Sequence, residues 1–497
     1  MAGADGEPNL GWMRTPALVG SGRQHQVVAV AETGDNLRCV RLHSLLEAVE
    51  VALRTGSGSR VRRLTLIERL VVLGELLYPR LSLPHHGGIV VGGLLRVDGP
   101  PLTLEEIHAA LRPWLVAVPE FRYALAQPVR LWRRPWWTEI ADLDLNNHVR
   151  EYAVPHDSGP EGLSAAIDDI ARNPLSLTAP LWQMWLIHGY ADDEWAFLFR
   201  ASHALFDGVA VLELLRRLGR GEPPVLAQGT TSGADNALRH RWTRDVRQAI
   251  RDLPRLLRSV FPLALPPFRA IDLSGRRHIA WTTMPLERLW EAGRRHEAQL
   301  GDVYLAALAG ALRAWPGLSW RRGSARRVWT MVPASTRGLG SQRQLGNRAA
   351  HLRVALPCGE PDPLRRLEQV TRSRAMAKHS GYLTVIPAVL RWAPHWLGIP
   401  LAAFVLGPWQ ISLVAGMLPG PPDTVWYRDR RVREIVPLSP LPVGAPIMAY
   451  LLTYGDQACL GFTVDVALSD GDGLGRLVAA EIDLLATMDQ GDRCSPR

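Results

Sequence analysis

Lysine is almost missing from this chain: of its 57 basic residues only Lys378 is a lysine, the rest being arginine. The arginines are scattered, with no block in which they alternate with aromatics. The formal charge of +9 therefore does not point to a nucleic-acid-binding protein, and the Arg/Ala/Gly/Pro bias is that of a GC-rich bacterial genome. Cysteine is equally scarce. Cys39, Cys358, Cys459 and Cys494 lie far apart with no Cys-x-x-Cys spacing, which excludes a zinc ribbon and a disulfide framework. The first twenty residues carry early acids and no continuous apolar core, unlike a secretory signal; the expected location is the cytoplasm. No Gly-x-Ser-x-Gly elbow occurs, which counts against a serine esterase. Gly87–Gly93 lacks the strand-turn-helix setting of a nucleotide-binding loop. His85-His86 has no partners at metal-ligand spacing, so no metal site is expected.

Long hydrophobic runs are missing too, with one partial exception. Trp392–Pro422 contains no formally charged residue. Pro394, Pro400 and Pro408 cut it into pieces shorter than the roughly 20 residues of a helical span. Two readings stand: a buried helix and strand, or an apolar surface entering a membrane interface through Trp392, Trp396 and Trp409.

The composition, 47% hydrophobic and 21% charged, is that of a globular protein, and 497 residues exceed one core. Residues 1–62 show little periodicity and read as an N-terminal extension, in part disordered. A first α/β domain follows over 63–218. It has a strand at Gly88–Val97, a helix capped by Thr103, strands at Trp182–Gly189 and Glu194–Ala201, and a helix at Gly208–Leu218. Residues 219–270 form a Gly/Pro/Ser-containing, then Arg-rich linker. A second α/β domain spans 271–490. Ligand sites favour such domain interfaces.

The chemistry-bearing motif is Arg200-Ala201-Ser202-His203-Ala204-Leu205-Phe206-Asp207-Gly208, at a strand-to-helix joint. Imidazole, with an unperturbed pKa of about 6.5, takes a proton from an alcohol as that alcohol attacks. A carboxylate beside it suits a brace, and a glycine leaves backbone space. Alone, His-x-x-x-Asp-Gly is a weak pattern, better explained by a histidine that merely packs at the joint.

The surroundings narrow the choice. The segment resembles the His-His-x-x-x-Asp-Gly motif of the wax ester synthase/diacylglycerol acyltransferase family, relatives of chloramphenicol acetyltransferase and condensation domains. Pro180-Leu181-Trp182 is similar to that family's Pro-Leu-Trp strand. Gly301-Asp302-Val303 resembles its Asn-Asp-Val helix start, Gly346-Asn347-Arg348 its Gly-Asn-Arg segment, and Leu418–Pro422 its Val-Pro-Gly-Pro. The similarity runs in consistent order over residues 64–485.

This resemblance implies an α/β (α+β) fold of two chloramphenicol-acetyltransferase-like domains with a substrate tunnel at their interface. It implies acyl-CoA-dependent transfer of a long acyl chain to diacylglycerol or a fatty alcohol. His203 would be the general base, Asp207 a structural brace, and Gly208 the residue keeping the channel open. Ser202, Pro180, Leu181, Trp182 and Asp302 would lie at the substrates. No cofactor is implied, acyl-CoA being a substrate. The implied partners are acyl-CoA and a lipidic alcohol, with peripheral association at the inner membrane face or a lipid droplet. Three departures bear on this: Ser202 replaces the motif's first His, Gly301 the Asn of Asn-Asp, and Met417 the Asn before Val-Pro-Gly-Pro. They keep open a specialised alcohol or amine acceptor, and a non-catalytic lipid- or acyl-CoA-binding relative. If Asp302 is not at the substrate, its ordinary role is to cap a helix beginning at Val303.

Overall fold

The computed structural model describes residues 61–80, 88–126, 135–222, 234–261, 263, 272–316, 327–335, 349–441, 445–468 and 470–489. The first half contains β1 (Val61–Arg63), α1 (Leu66–Arg80), β2 (Val90–Asp98), α2 (Leu104–Ala117), β3 (Tyr123–Leu125), β4 (Trp136–Glu139) and β5 (Val149–Ala153). It continues with α3 (Gly159–Arg172), β6 (Trp182–Ala191), β7 (Glu194–Ser202), α4 (Gly208–Gly219) and α5 (Ala234–Val260). The second half contains β8 (Arg277–Pro285), α6 (Leu286–Arg295), α7 (Leu300–Ala314), β9 (Val328–Ser335), β10 (Ala349–Leu356), α8 (Pro363–Lys378), α9 (Val385–Trp392) and α10 (His395–Leu406). It ends with β11 (Leu413–Pro419), β12 (Trp426–Tyr427), β13 (Arg430–Leu438), β14 (Ile447–Tyr454), β15 (Gln457–Asp465) and α11 (Gly471–Thr487). His85, His86 and Gly346–Arg348 lie outside the described residues, as do residues 1–60 of the expected extension. The chain enters the fold within that segment, β1 pairing antiparallel with β4.

Local chemistry explains several boundaries. Thr103 accepts from the Glu106 amide while the Glu106 carboxylate accepts from the Thr103 amide, a reciprocal cap that starts α2. Ile107, Leu111 and Trp114 then fall on one face and are buried. α7 is apolar on every side and buried from Gly301 to Leu312, because it is enclosed by the second sheet, α8 and α11. Gly92 in β2 is required by close approach: a Cβ there would stand 2.3 Å from the Phe199 carbonyl oxygen.

Two six-stranded sheets carry the architecture, in the orders β12-β13-β2-β7-β6-β5 and β10-β9-β11-β14-β15-β8. The mixed α/β alternation read from the sequence is present. The sheets do not divide the chain at one point: β12 and β13, late in the sequence, complete the first sheet through β13–β2 pairing, with Ile435 opposite Leu95. A buried cluster spans the seam, placing Leu94 and Leu198 of the first sheet with Ile279 and Cys459 of the second.

Polar links reinforce that seam. Glu434 of β13 accepts from Arg96 Nη1 at 2.8 Å and from Trp281 Nε1 of β8 at 3.3 Å. His278 of β8 lies between Asp168 of α3, at 2.8 Å, and Asp472 of α11, at 3.2 Å. The hydrogen bond to Asp168, with the charges of both carboxylates, holds its imidazole up to about 9 against desolvation. A cation favoured in the folded state stabilises fully below its unfolded pKa, about 6.5, and the benefit fades as pH rises through the folded value. The thermal midpoint is therefore expected to fall as pH rises from about 6.5 to about 9. That part of the profile should flatten in His278→Gln; an unchanged slope in a thermal-melt series would refute the assignment.

Candidate active site

β7 is buried along its whole length and ends at Ser202. The chain turns over Ser202–Phe206, where Leu205 and Phe206 amides donate to the Ser202 carbonyl at 3.0 and 3.3 Å. Asp207 then caps α4, its Oδ1 accepting from the Ala210 amide at 2.9 Å. The short spacing of the motif is thus the length of one turn between a strand end and a helix cap. Asp207 is buried, and its role in holding the loop is carried by that cap.

His203 is half-buried. Its amide donates to the Ile89 carbonyl at 2.9 Å, and its Nδ1 lies 2.9 Å from the Phe206 carbonyl. A carbonyl only accepts, so Nδ1 carries the proton and Nε2 is the basic nitrogen. The backbone that receives His203 is held in turn from both halves. Arg277 of β8 donates to the Gly88 carbonyl, and the Ile89 amide donates to Glu75. Burial lowers the Arg277 pKa to about 10 and raises that of Glu75. Ordinary sequence spacing gave no signal for this support, since Glu75, Ile89, His203 and Arg277 meet only in the fold.

Across the seam, α4 faces β11. A Cβ on Gly208 would stand 3.4 Å from the Leu418 Cδ1, an ordinary van der Waals contact. β11 pairs in parallel with β14, bringing Gly416 opposite Tyr450. A Cβ at Gly416 would come within 2.4 Å of the Tyr450 ring, so glycine is what admits the ring. Burial raises the Tyr450 pKa, and the negative charge of Asp207 adds to that rise. Tyr450 is therefore a neighbour of the motif that the linear sequence did not single out.

The remaining expected site residues lie deeper or elsewhere. Pro180, Leu181 and Trp182 are buried. The Leu181 carbonyl accepts from the Ser202 amide at 2.8 Å, tying β6 to the motif. Trp182 donates from Nε1 to the Phe121 carbonyl at 2.8 Å, stacks on His148 with centroids 4.6 Å apart, and accepts from His148 Nδ1 at its own carbonyl. These contacts make the triplet a brace behind β7. Ser202 is buried, and its Oγ accepts from the Ala204 amide at 3.3 Å.

Asp302 does not cap a helix beginning at Val303. α7 begins at Leu300 with Gln299 as its cap residue, and Asp302 sits within the first turn, paired at 2.8 Å with Arg374 of α8. The Arg374 guanidinium also lies over Gly301, its Nη1 3.0 Å from where a Cβ would stand. The space of the missing Asn is thus used by an arginine from the next helix. Met417 lies in β11 and packs against the second-half core. Among the described residues, His156, Asp157 and Asp192 alone come close enough together to hold an ion. All three are exposed, near the β6–β7 turn at the far end of β7 from Ser202.

Residues 82–304 match the wax ester synthase/diacylglycerol acyltransferase catalytic domain, and residues 345–485 match the C-terminal domain of the same enzymes. This chain belongs to the wax ester synthase/diacylglycerol acyltransferase family. It is an O-acyltransferase of that family. Two Mycobacterium tuberculosis proteins named as diacylglycerol O-acyltransferases are similar to it. One is 28% identical over 375 residues, 69% of this chain and 79% of its own length. The other is 25% identical over 435 residues, 80% of this chain and 92% of its own length. Among solved structures, the wax ester synthase/diacylglycerol acyltransferase of Marinobacter aquaeolei VT8 superposes with a TM-score of 0.58 at 20% identity, covering 86% of this chain and all of that one. The starter condensation domain of rhizomide synthetase, solved in complex with C8-CoA, gives 0.59 at 15% identity, covering 86% and 95%. These likenesses establish the two-domain chloramphenicol-acetyltransferase-like fold.

Proposed function

We propose that the protein transfers a long-chain acyl group from acyl-CoA to the free hydroxyl of diacylglycerol, giving triacylglycerol, with a fatty alcohol as second acceptor. His203 Nε2 takes the hydroxyl proton as the oxygen attacks the thioester carbon. The C–S bond breaks as the tetrahedral centre collapses, and the proton passes from Nε2 to the CoA thiolate. No acyl-enzyme and no cofactor enters this scheme, because the thioester is already activated. The substrates meet along the seam where Gly208 faces Leu418. Asp207 orders the loop through its cap. The names of the mycobacterial relatives favour diacylglycerol, and a lipidic acceptor favours work at the inner membrane face. No helix among the described residues is long and apolar enough to cross a membrane.

The observation that supports the reading is the His203 Nδ1–Phe206 carbonyl contact, which puts the ring proton on Nδ1 and so suits Nε2 to accept one. Purified protein given palmitoyl-CoA should release CoA thiol only when an acceptor is present, faster with diacylglycerol than with hexadecanol. Equal release with and without acceptors, or binding of palmitoyl-CoA with no turnover on any of them, would defeat it.

A further inference from the structure

The Arg-rich stretch read from sequence as a linker forms α5, and its faces are sharply divided. Asp245, Ala249, Asp252, Leu256 and Val260 turn inward. Leu256 and Val260 join Tyr382, Val385 and Ile386 around α9, together with Val405 of α10, in a small buried cluster. Asp245 and Asp252 are both used there. Asp245 accepts from Arg391 Nη1 at 2.7 Å and from Trp392 Nε1 at 3.1 Å. Asp252 accepts from Thr384 Oγ1 and Gln248 Nε2, each at 2.8 Å.

The outer side is different. Ile250, Leu253, Leu257 and Phe261 recur at helical spacing, and all are exposed, Ile250 and Phe261 at 64% and Leu257 at 56%. Beside them runs a second stripe of exposed residues, Arg244, Arg247, Arg251, Arg255 and Arg258. Successive residues of a helix are 100° apart, which puts this stripe roughly 120° from the apolar one. Arg255 pairs with Asp252; no carboxylate among the described residues pairs with the other four. A core-facing helix would have its apolar residues on the inward face alone. Here a second apolar stripe faces outward, flanked by arginines. α10, which shares the inner cluster, exposes Trp396 at 77%, with Leu397 and Phe404.

We propose that the outer face of α5 is the surface on which the protein lies on an anionic phospholipid bilayer, α5 in the plane of the interface. Apolar residues enter the headgroup boundary while the arginine stripe meets lipid phosphates, the arrangement expected of an interfacial helix. The charge stripe selects this occupant over a second copy of the chain, whose matching face would bring arginine against arginine. The inference rests on the reading that the acceptor is a lipid, but its test is independent of turnover.

Vesicles of phosphatidylcholine alone, or containing phosphatidylglycerol, would be sedimented with the full chain. Binding is expected only to the anionic vesicles and should fall with ionic strength. Changing Arg244, Arg247, Arg251 and Arg258 to Gln should weaken it at least about tenfold. Ile250→Ser with Leu257→Ser should weaken it similarly. Release of CoA from octanoyl-CoA with a soluble acceptor should stay unchanged in both variants, which separates failure of docking from failure of the acyltransferase reading. Equal binding to neutral and anionic vesicles, or undiminished binding by the Gln variant, would overturn the proposal. So would a concentration-dependent dimer that the Ser variant abolishes.

Discussion

His203→Ala is expected to lower acceptor-dependent CoA release by roughly 10²–10⁴-fold, the usual contribution of a positioned general base. The loop should survive the change. The bond from the residue-203 amide to the Ile89 carbonyl, the turn closed on Ser202 and the Asp207 cap all involve groups other than the imidazole. Thermal stability and palmitoyl-CoA affinity should therefore change little while turnover collapses. That split distinguishes a base from a packed histidine, whose loss would lower stability and leave the residual rate near wild type. Retention of more than about a tenth of the wild-type rate would remove His203 from the chemistry.

Trp182→Ala should have its main effect on folding. Trp182 is fully buried, its Nε1 satisfied by the Phe121 carbonyl and its ring against His148 and Phe121. Truncation leaves a cavity, strands the Phe121 carbonyl, and should cost about 3–5 kcal/mol. Because the neighbouring Leu181 carbonyl holds Ser202, activity would fall as the folded fraction falls. Trp182→Phe should recover most of the stability and leave the KM for either substrate near wild type. A large rise in KM with normal denaturant unfolding would instead place Trp182 at the substrate.

The two predictions separate what the resemblance implied for neighbouring residues. His203 and Trp182 both belong to motifs similar to those of one family, yet His203 is half-buried while Trp182 is fully buried. Burial divides them, and burial was not readable from the motif. The same holds at Asp302. A lone Asp at a helix start suggests a cap, but Arg374 approaches over Gly301 and takes the carboxylate, while the helix begins earlier at Leu300. In the apolar Trp392–Pro422 segment, Leu413–Gly416 of β11 are buried in the second sheet, whereas Trp396 and Trp409 are exposed.

By itself the sequence determined the features governed by neighbours along the chain. These are the reciprocal cap at Thr103 and Glu106, the strand-turn-helix joint from Ser202 to Gly208, the alternation of strands and helices, and the family motif around His203. Each depends on hydrogen bonds or periodicities spanning a few residues. Tertiary structure alone decided which late strands complete the first sheet, that Arg277 and Glu75 steady the backbone behind His203, that Tyr450 stands beside Asp207, and that the linker presents an outward apolar stripe. Those facts arise where segments hundreds of residues apart compete to bury apolar surface and satisfy buried charge. Local spacing carries no record of which of them meet.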